Sequence, residues 1–237
     1  MILSDRTALV TGASRGIGAA ISRAMDGAGI RVALVAKHGD ALSALRNTLG
    51  AGHLEVACDL TQPDAVRELA ASVINWASGP PDIIVNNAGV FPFSPIHEQD
   101  SVQFVHTLAL GVTAPFLVLR CFLPAMRARG SGDVVTIGSI SDRHTYSGNG
   151  AYNAAKYGAR ALHEVLRAET RGSGIRATLV SPGPVSTEIW NPHEDLLGGT
   201  LPPRSEMLSA EDVARAVMFV LSEPQGVTME ELRLSRS

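Results

Sequence analysis

Strand-length apolar runs recur along the chain at residues 8–10, 31–35, 54–57, 83–85, 134–137 and 176–180. Between them lie stretches with helical periodicity at 16–28, 40–49, 63–77, 101–127 and 151–170. Strands that are apolar throughout, rather than on alternate residues, must be covered on both faces. Alternation with helices supplies that cover and calls for parallel strands joined by right-handed crossovers. The predicted fold class is therefore α/β, a doubly wound, mostly parallel sheet with helices on both faces (a Rossmann fold). With 237 residues, 45% of them apolar, one core suffices, and 1–237 is read as a single nucleotide-binding and catalytic domain.

In such sheets ligands bind beyond the carboxyl ends of the strands, and polar or glycine-rich punctuation falls there at 11–18, 59–61, 86–89, 138–141 and 181–187. The first of these is the most specific. Thr7-Ala8-Leu9-Val10 runs into Thr11-Gly12-Ala13-Ser14-Arg15-Gly16-Ile17-Gly18, and apolar periodicity resumes through Ala19, Ala20, Ile21 and Ala24. A helix N-terminus has unpaired N–H groups and the positive end of its dipole, and small residues let a phosphate approach both. The spacing Gly-x-x-x-Gly-x-Gly differs from the common Gly-x-Gly-x-x-Gly fingerprint. By itself it predicts a nucleotide site, with a ligand-free tight turn as the other reading.

Smaller signals mark boundaries. Pro63 opens a helix behind Thr61, its candidate cap, and Pro115 predicts a bend or break in the long helical stretch. Ser209 is a candidate N-cap for a last helix through Val220, and the tail from Glu231 alternates like an edge strand. Segment 187–209, rich in Pro, Gly and acidic residues, reads as a mobile substrate lid. A net charge of −3 gives no electrostatic case for nucleic acid or anionic membrane as a partner. No run of about 18 apolar residues and no basic-then-apolar leader is present, and the two cysteines, Cys58 and Cys121, lack a CxxC pairing. The expectation is a cytoplasmic protein without a bound metal, since the seven histidines form no tight ligand cluster.

Tyr152 and Lys156, four apart, share a helix face. A cation beside a phenol favours the phenolate, lowering a pKa of ~10 towards the working range. Ser139, after the 134–137 strand, is placed to join them in holding a substrate oxygen. An ordinary helix-surface pair has the same spacing, and the glycine loop and Ser139 favour the catalytic reading.

These residues together resemble the short-chain dehydrogenase/reductase family, of its small classical kind, from about residue 5 to about residue 220. The resemblance implies that Gly12, Ser14, Arg15, Gly16, Ile17 and Gly18 hold the coenzyme. Asp59, with Leu60, matches the acid that contacts adenine. Asn86-Asn87-Ala88-Gly89 matches a motif that stabilises the central sheet, and Asn87, Ala88 and Gly89, with Tyr152 and Lys156, are among the coenzyme-binding residues that the resemblance implies. Pro182, Gly183, Val185 and Thr187 lie in the segment around the nicotinamide carboxamide. Ser139, Tyr152 and Lys156 match the catalytic residues, the tyrosine as acid/base, the lysine also binding the nicotinamide ribose. A homodimer or homotetramer is implied, with stretches 101–127 and 151–170 at the main interface; apolar Phe104, Val105, Leu108, Val112, Val165 and Leu166 are compatible with that and equally with facing the core.

Two departures qualify the match. An acid ending the second strand would favour NAD(H); here Ala36-Lys37 stands there, and Lys37 with Arg15 points to the 2′-phosphate of NADP(H). The family's helix asparagine is replaced by Gly111, which leaves room for water and a bend, with His106 or Thr107 as substitutes. Phe91, Ile140, His144, Tyr146, Pro184 and Trp190, with Val90, Phe93 and Leu196, are the expected substrate pocket, suited to a moderately apolar ketone or secondary alcohol. The leading reading is an NADP(H)-dependent oxidoreductase acting on a small carbonyl or alcohol. A cofactor-binding regulatory or scaffold protein, and a lyase or epimerase on the same fold, are the alternatives.

Overall fold

The computed structural model of the chain describes residues 3–193 and 202–237. Its strands are β1 (Thr7–Thr11), β2 (Arg31–Ala36), β3 (Leu54–Ala57), β4 (Ile83–Asn86), β5 (Gly132–Ile137), β6 (Ile175–Pro182) and β7 (Glu231–Leu234). They form one sheet in the order β3-β2-β1-β4-β5-β6-β7, with every adjacent pair parallel. The alternating tail is the seventh strand, with Glu231 opposite Leu179 of β6. The chain winds outward from β1 one way and from β4 the other, so a crevice opens where the loops after β1 and β4 part.

Both faces are covered. Ala8, Val10, Ile83 and Val85 point to one side, where they meet Ile21 and Met25 of α1 (Gly16–Gly27), Leu42 of α2 (Gly39–Arg46), and Val213 and Val217 of α7 (Ala210–Ser222). Leu9 and Ile84, the residues between, point to the other. There they pack with Val66 and Leu69 of α3 (Pro63–Ala77), Phe122 and Met126 of α5 (Ala114–Arg129) and Leu166 of α6 (Gly150–Thr170). Two-sided burial is why these strands read as continuous apolar runs. Leu166 is thus core, not interface, while Val105 and Val165 are exposed.

Ser209 caps α7 as expected: its hydroxyl accepts from the Asp212 amide while the Asp212 carboxylate accepts from the Ser209 amide. Thr61 does not cap α3. Its hydroxyl donates to Asp59 at 2.7 Å, and Gln62 takes the cap position without a side-chain bond, leaving Pro63 at the helix start.

The stretch 101–127 is not one straight helix. α4 (Ser101–Leu108) widens into a π-helical turn, Ala109–Thr113, before α5. The wide turn precedes Pro115, which stands in the first turn of α5, where its missing N–H is tolerated, while Pro124 lies inside α5 without ending it. By length and composition Ser101–Arg129 could cross a membrane; here α5 packs Leu117, Val118 and Phe122 against the sheet. Small residues bring α6 against the turn. A Cβ on Gly158 would stand 2.8 Å from Val112 Cγ2, and one on Gly111 would stand 2.8 Å from the Ala155 Cβ. Ala155 therefore fills the space that an asparagine at 111 would need.

Two predictions follow from this packing. Gly111→Asn should lose roughly 1–3 kcal/mol of stability in urea unfolding by overpacking, with a further Ala155→Gly change restoring part of it. On α6, His163 is 2% exposed, its Nδ1 lies 3.0 Å from Thr136 Oγ1, and its Nε2 has no partner among the described residues. Burial pushes its pKa down to about 4 from 6.5. In that window the unfolded chain takes up a proton that the folded chain refuses, so stability is lost as pH falls below 6.5. Unfolding near pH ~5 should need roughly 1–2 kcal/mol less than near pH ~7 on this account, and His163→Phe should flatten the difference.

Candidate active site

The glycine loop is fixed from below by a polar link between β1 and β4. The Thr11 hydroxyl donates to the Val85 carbonyl at 3.2 Å and accepts from the Asn87 and Ala88 amides at 3.0 and 3.1 Å. The Asn87 side chain donates to the Thr11 and Gly12 carbonyls at 2.9 and 3.2 Å. This approach needs glycine. Gly12 has φ +66°, and a Cβ there would come within 2.9 Å of Ala88 Cα. A Cβ on Gly18 would lie 2.2 Å from the Gly12 carbonyl oxygen. Gly18 therefore seats α1 against the loop and, unlike Gly12, Ser14, Arg15, Gly16 and Ile17, does not line the cavity above it. Arg15 takes the α1 cap position in extended conformation and supplies no side-chain cap, so the first amides of α1 face outward without a side-chain acceptor.

A cavity of about 960 Å³ runs from this loop to α6. Arg15, Lys37, Asp59 and Leu60 line one end, with Asn87, Ala88 and Gly89 further along. Ser139, Tyr152, Lys156, Pro182, Gly183, Val185 and Thr187 line the other. The volume, the outward amides and the glycine cradle suit a dinucleotide, with its phosphates at the loop. The cationic end differs from expectation in one respect. Lys37 does not stand apart from every carboxylate: its Nζ is 2.8 Å from Asp59 Oδ2. Hydrogen bonds from Lys37, then from Thr61, hold the Asp59 carboxyl down at about 2. Both side chains are substantially exposed, so the pair is weak and open to exchange with another anion. His38, which lines the same end, escaped the sequence reading although it follows Lys37 directly.

At the other end, β5 ends at Ile137 and Ser139 opens a short 3₁₀ turn, Ile140–Asp142. The Ser139 hydroxyl accepts from the Ser141 amide at 3.1 Å. Tyr152 and Lys156 face the cavity from the first turns of α6. Lys156 donates to the Ile137 carbonyl at 2.9 Å, and its Nζ stands 5.7 Å from the Tyr152 ring centroid. In this arrangement the neighbouring lysine does not bring the phenol below its ordinary pKa. Burial pushes Tyr152 up to about 12, a hydrogen bond with Ser139 acts against the rise, and the Asp142 charge adds to it. Burial also brings Lys156 down to about 8, Asp142 opposing. A neutral phenol close to a serine hydroxyl and an ammonium is a proton donor for an oxygen placed between them. Beside Lys156 lies a space of about 20 Å³ bordered by Asn86, Thr107, Gly111 and Ala155, about the size of one water.

Of the expected substrate pocket, Val90, Phe91, Ile140, Tyr146, Pro184 and Trp190 line the cavity. Phe91 anchors an aromatic group, edge-on to Tyr152 at 4.9 Å and to Trp190 at 4.6 Å between ring centroids. Trp190 is held by its indole N–H donating to the Val185 carbonyl at 2.7 Å. His144 is exposed outside the lining, and its carbonyl accepts from the Asn153 side chain. Phe93 packs over Gly148 instead of facing the cavity. Leu196 lies outside the described residues, as does part of the expected lid. Asn149, Glu188 and Ile189 also line the cavity and carried no sequence signal, since loop side chains have no periodicity to reveal their direction. Among the described residues no group of three or more His, Cys, Asp or Glu is placed to hold a metal.

Comparison with known proteins agrees with this geometry. The family model described as short chain dehydrogenase matches residues 6–196. D-threitol dehydrogenase of Mycolicibacterium smegmatis is 33% identical over 93% of this chain and 87% of its own length. Glycine betaine reductase of Emericella nidulans is 35% identical over 97% of this chain, which spans 18% of that longer protein. A metagenomic short-chain oxidoreductase solved in complex with NADP superposes with a TM-score of 0.84 at 31% identity, covering 100% of this chain and 99% of the other. The chain therefore belongs to the short-chain dehydrogenase family of NAD(P)(H)-dependent oxidoreductases.

Proposed function

We propose that the protein interconverts a carbonyl compound and a secondary alcohol using NADP(H), with Tyr152 as the acid/base. The observation carrying this reading is one cavity with a phosphate cradle and cations at one end and Ser139, Tyr152 and Lys156 at the other. The NADP of the metagenomic relative supports the same coenzyme, as do Arg15 and Lys37. NADP(H), when bound, supplies the hydride donor or acceptor. Gly12, Gly16 and Ile17 would hold its phosphates. Lys37, on release from Asp59, and Arg15 would meet the 2′-phosphate. Pro182, Gly183, Val185 and Thr187 would flank the nicotinamide.

Ser139 orients the substrate oxygen, and Tyr152 exchanges a proton with it at Oη. With its pKa pushed up to about 12, Tyr152 is in the protonated form that carbonyl reduction requires. In the oxidative direction the phenol must give up that proton, and the Lys156 ammonium is the nearby charge that favours the loss. The Phe91–Trp190 wall suits a moderately apolar substrate, while Tyr146 and Asn149 offer polar contacts. Exposed Val102, Val105, Phe116 and Val165 fit a homo-oligomer built on α4, α5 and α6. The free thiols Cys58 and Cys121 fit a reducing cytoplasm.

A panel of ketones, quinones and secondary alcohols, followed by reduced-coenzyme absorbance with both coenzymes, tests the reading. Coenzyme binding without turnover would favour the scaffold alternative, and turnover without absorbance change a lyase or epimerase. Tyr152→Phe should keep coenzyme binding and lose about 10²–10⁴-fold in kcat; unchanged turnover would remove Tyr152 from the mechanism. Lys37→Ala and Arg15→Ala should each raise KM for NADP(H) about tenfold, near 1.4 kcal/mol of binding, with little change for NAD(H).

A further inference from the structure

Directly behind the catalytic serine lies a carboxylate that the proton-transfer chemistry does not use. Asp142, 1% exposed, ends the 3₁₀ turn that Ser139 begins. Its Oδ2 accepts from the Ser181 hydroxyl at 2.5 Å and from the Ser139 amide at 3.4 Å. Its Oδ1 is 2.8 Å from Arg143 Nε and 3.5 Å from Arg160 NH1 of α6. The surroundings are shaped to this group: a Cβ on Gly138 would stand 2.6 Å from both Asp142 Oδ2 and Ser181 Oγ.

The two arginines continue to the last strand. Arg143 NH1 is 2.6 Å from Glu231 Oε1, and Arg160 NH2 is 3.8 Å from Glu231 Oε2. Glu164, 2.8 Å from Arg160, and Arg233, 3.8 Å from Glu231, complete the charged groups around the cluster. Tyr152 and Lys156 feel the Asp142 charge across the turn. A buried charge is tolerated only when paired and hydrogen-bonded, so this carboxylate constrains every group that satisfies it.

We propose that Asp142 is a positioning residue for Ser139, tying the catalytic turn through Arg143 and Arg160 to Glu231 of β7. β7 then also supports the loop after β6, because the Gly183 amide donates to the Leu234 carbonyl at 2.8 Å. The catalytic part of this inference rests on the oxidoreductase reading; the tether itself does not.

Hydrogen exchange over residues 138–143 and turnover, in wild type, Asp142→Asn and Glu231→Gln, separate the two. Loss of a charge-assisted bond should speed exchange in that segment about tenfold or more in both variants, with β1 and β4 unaffected. Unchanged exchange would overturn the tether whether or not the wild type turns over any substrate tried. In kinetics, Asp142→Asn should lower kcat about tenfold or more and leave KM for the coenzyme near its wild-type value. Because the Asp142 charge opposes ionisation of Tyr152, the pH dependence of alcohol oxidation should move to lower pH in Asp142→Asn. A fall in activity with an unmoved pH profile would reduce Asp142 to a folding role and overturn the positioning one. Should Asp142→Asn fail to fold, Glu231→Gln, altered at a partly exposed side chain, decides: unchanged kcat and exchange there reject the proposal.

Discussion

The Thr11–Asn87 link between β1 and β4 is the contact on which the rest of the site depends. It joins the two strands at which the winding of the sheet reverses, so it determines where the crevice opens. It does so with one hydroxyl and one amide that satisfy the backbone groups exposed as the ladder ends. Gly12 and Gly18 are the steric counterpart: any side chain there would crowd the Asn87 side-chain amide, which bridges the Thr11 and Gly12 carbonyls. The outward-facing first turn of α1, and hence the phosphate end of the cavity, follows from that geometry.

At the reactive end, desolvation outweighs local charge. Tyr152 and Lys156 are both pushed towards their neutral forms by burial, the phenol up and the ammonium down. Proximity of a cation is therefore not enough to make a phenolate. The lysine gives a hydrogen bond to the Ile137 carbonyl, and its Nζ stands over the phenol ring, 5.7 Å from the centroid. The site as arranged holds a neutral phenol, with the Ser139 hydrogen bond acting against the effect of burial.

The C-terminal strand has more than an edge role. Glu231 reaches the serine turn through two arginines, while the Leu234 carbonyl holds the Gly183 loop. Two loops far apart in sequence are thus referred to the same short strand.

Much of this was legible in the chain. Apolar runs announced the strands, because two-sided burial leaves no polar alternation, and Ser139, Tyr152 and Lys156 stood at recognisable positions because a helix fixes i,i+4 geometry. Pro115 marked the break in the long helical stretch, where it stands in the first turn of α5, whereas Pro124 lies inside α5 without ending it. What sequence spacing could not carry was set by residues meeting across the fold. Only packing brought Asp59 to Lys37, Ala155 against Gly111 and the arginines of two elements onto Asp142, because partners so far apart in sequence leave no local pattern. Packing also turned Phe91 towards Tyr152 and left His144 outside, since the direction of a loop side chain is decided by its neighbours in space. Local pattern alone carried the sheet, the glycine cradle and the positions of Ser139, Tyr152 and Lys156; the folded chain sets the charge state and support of those three, because burial and long-range contact exist only once the chain has folded.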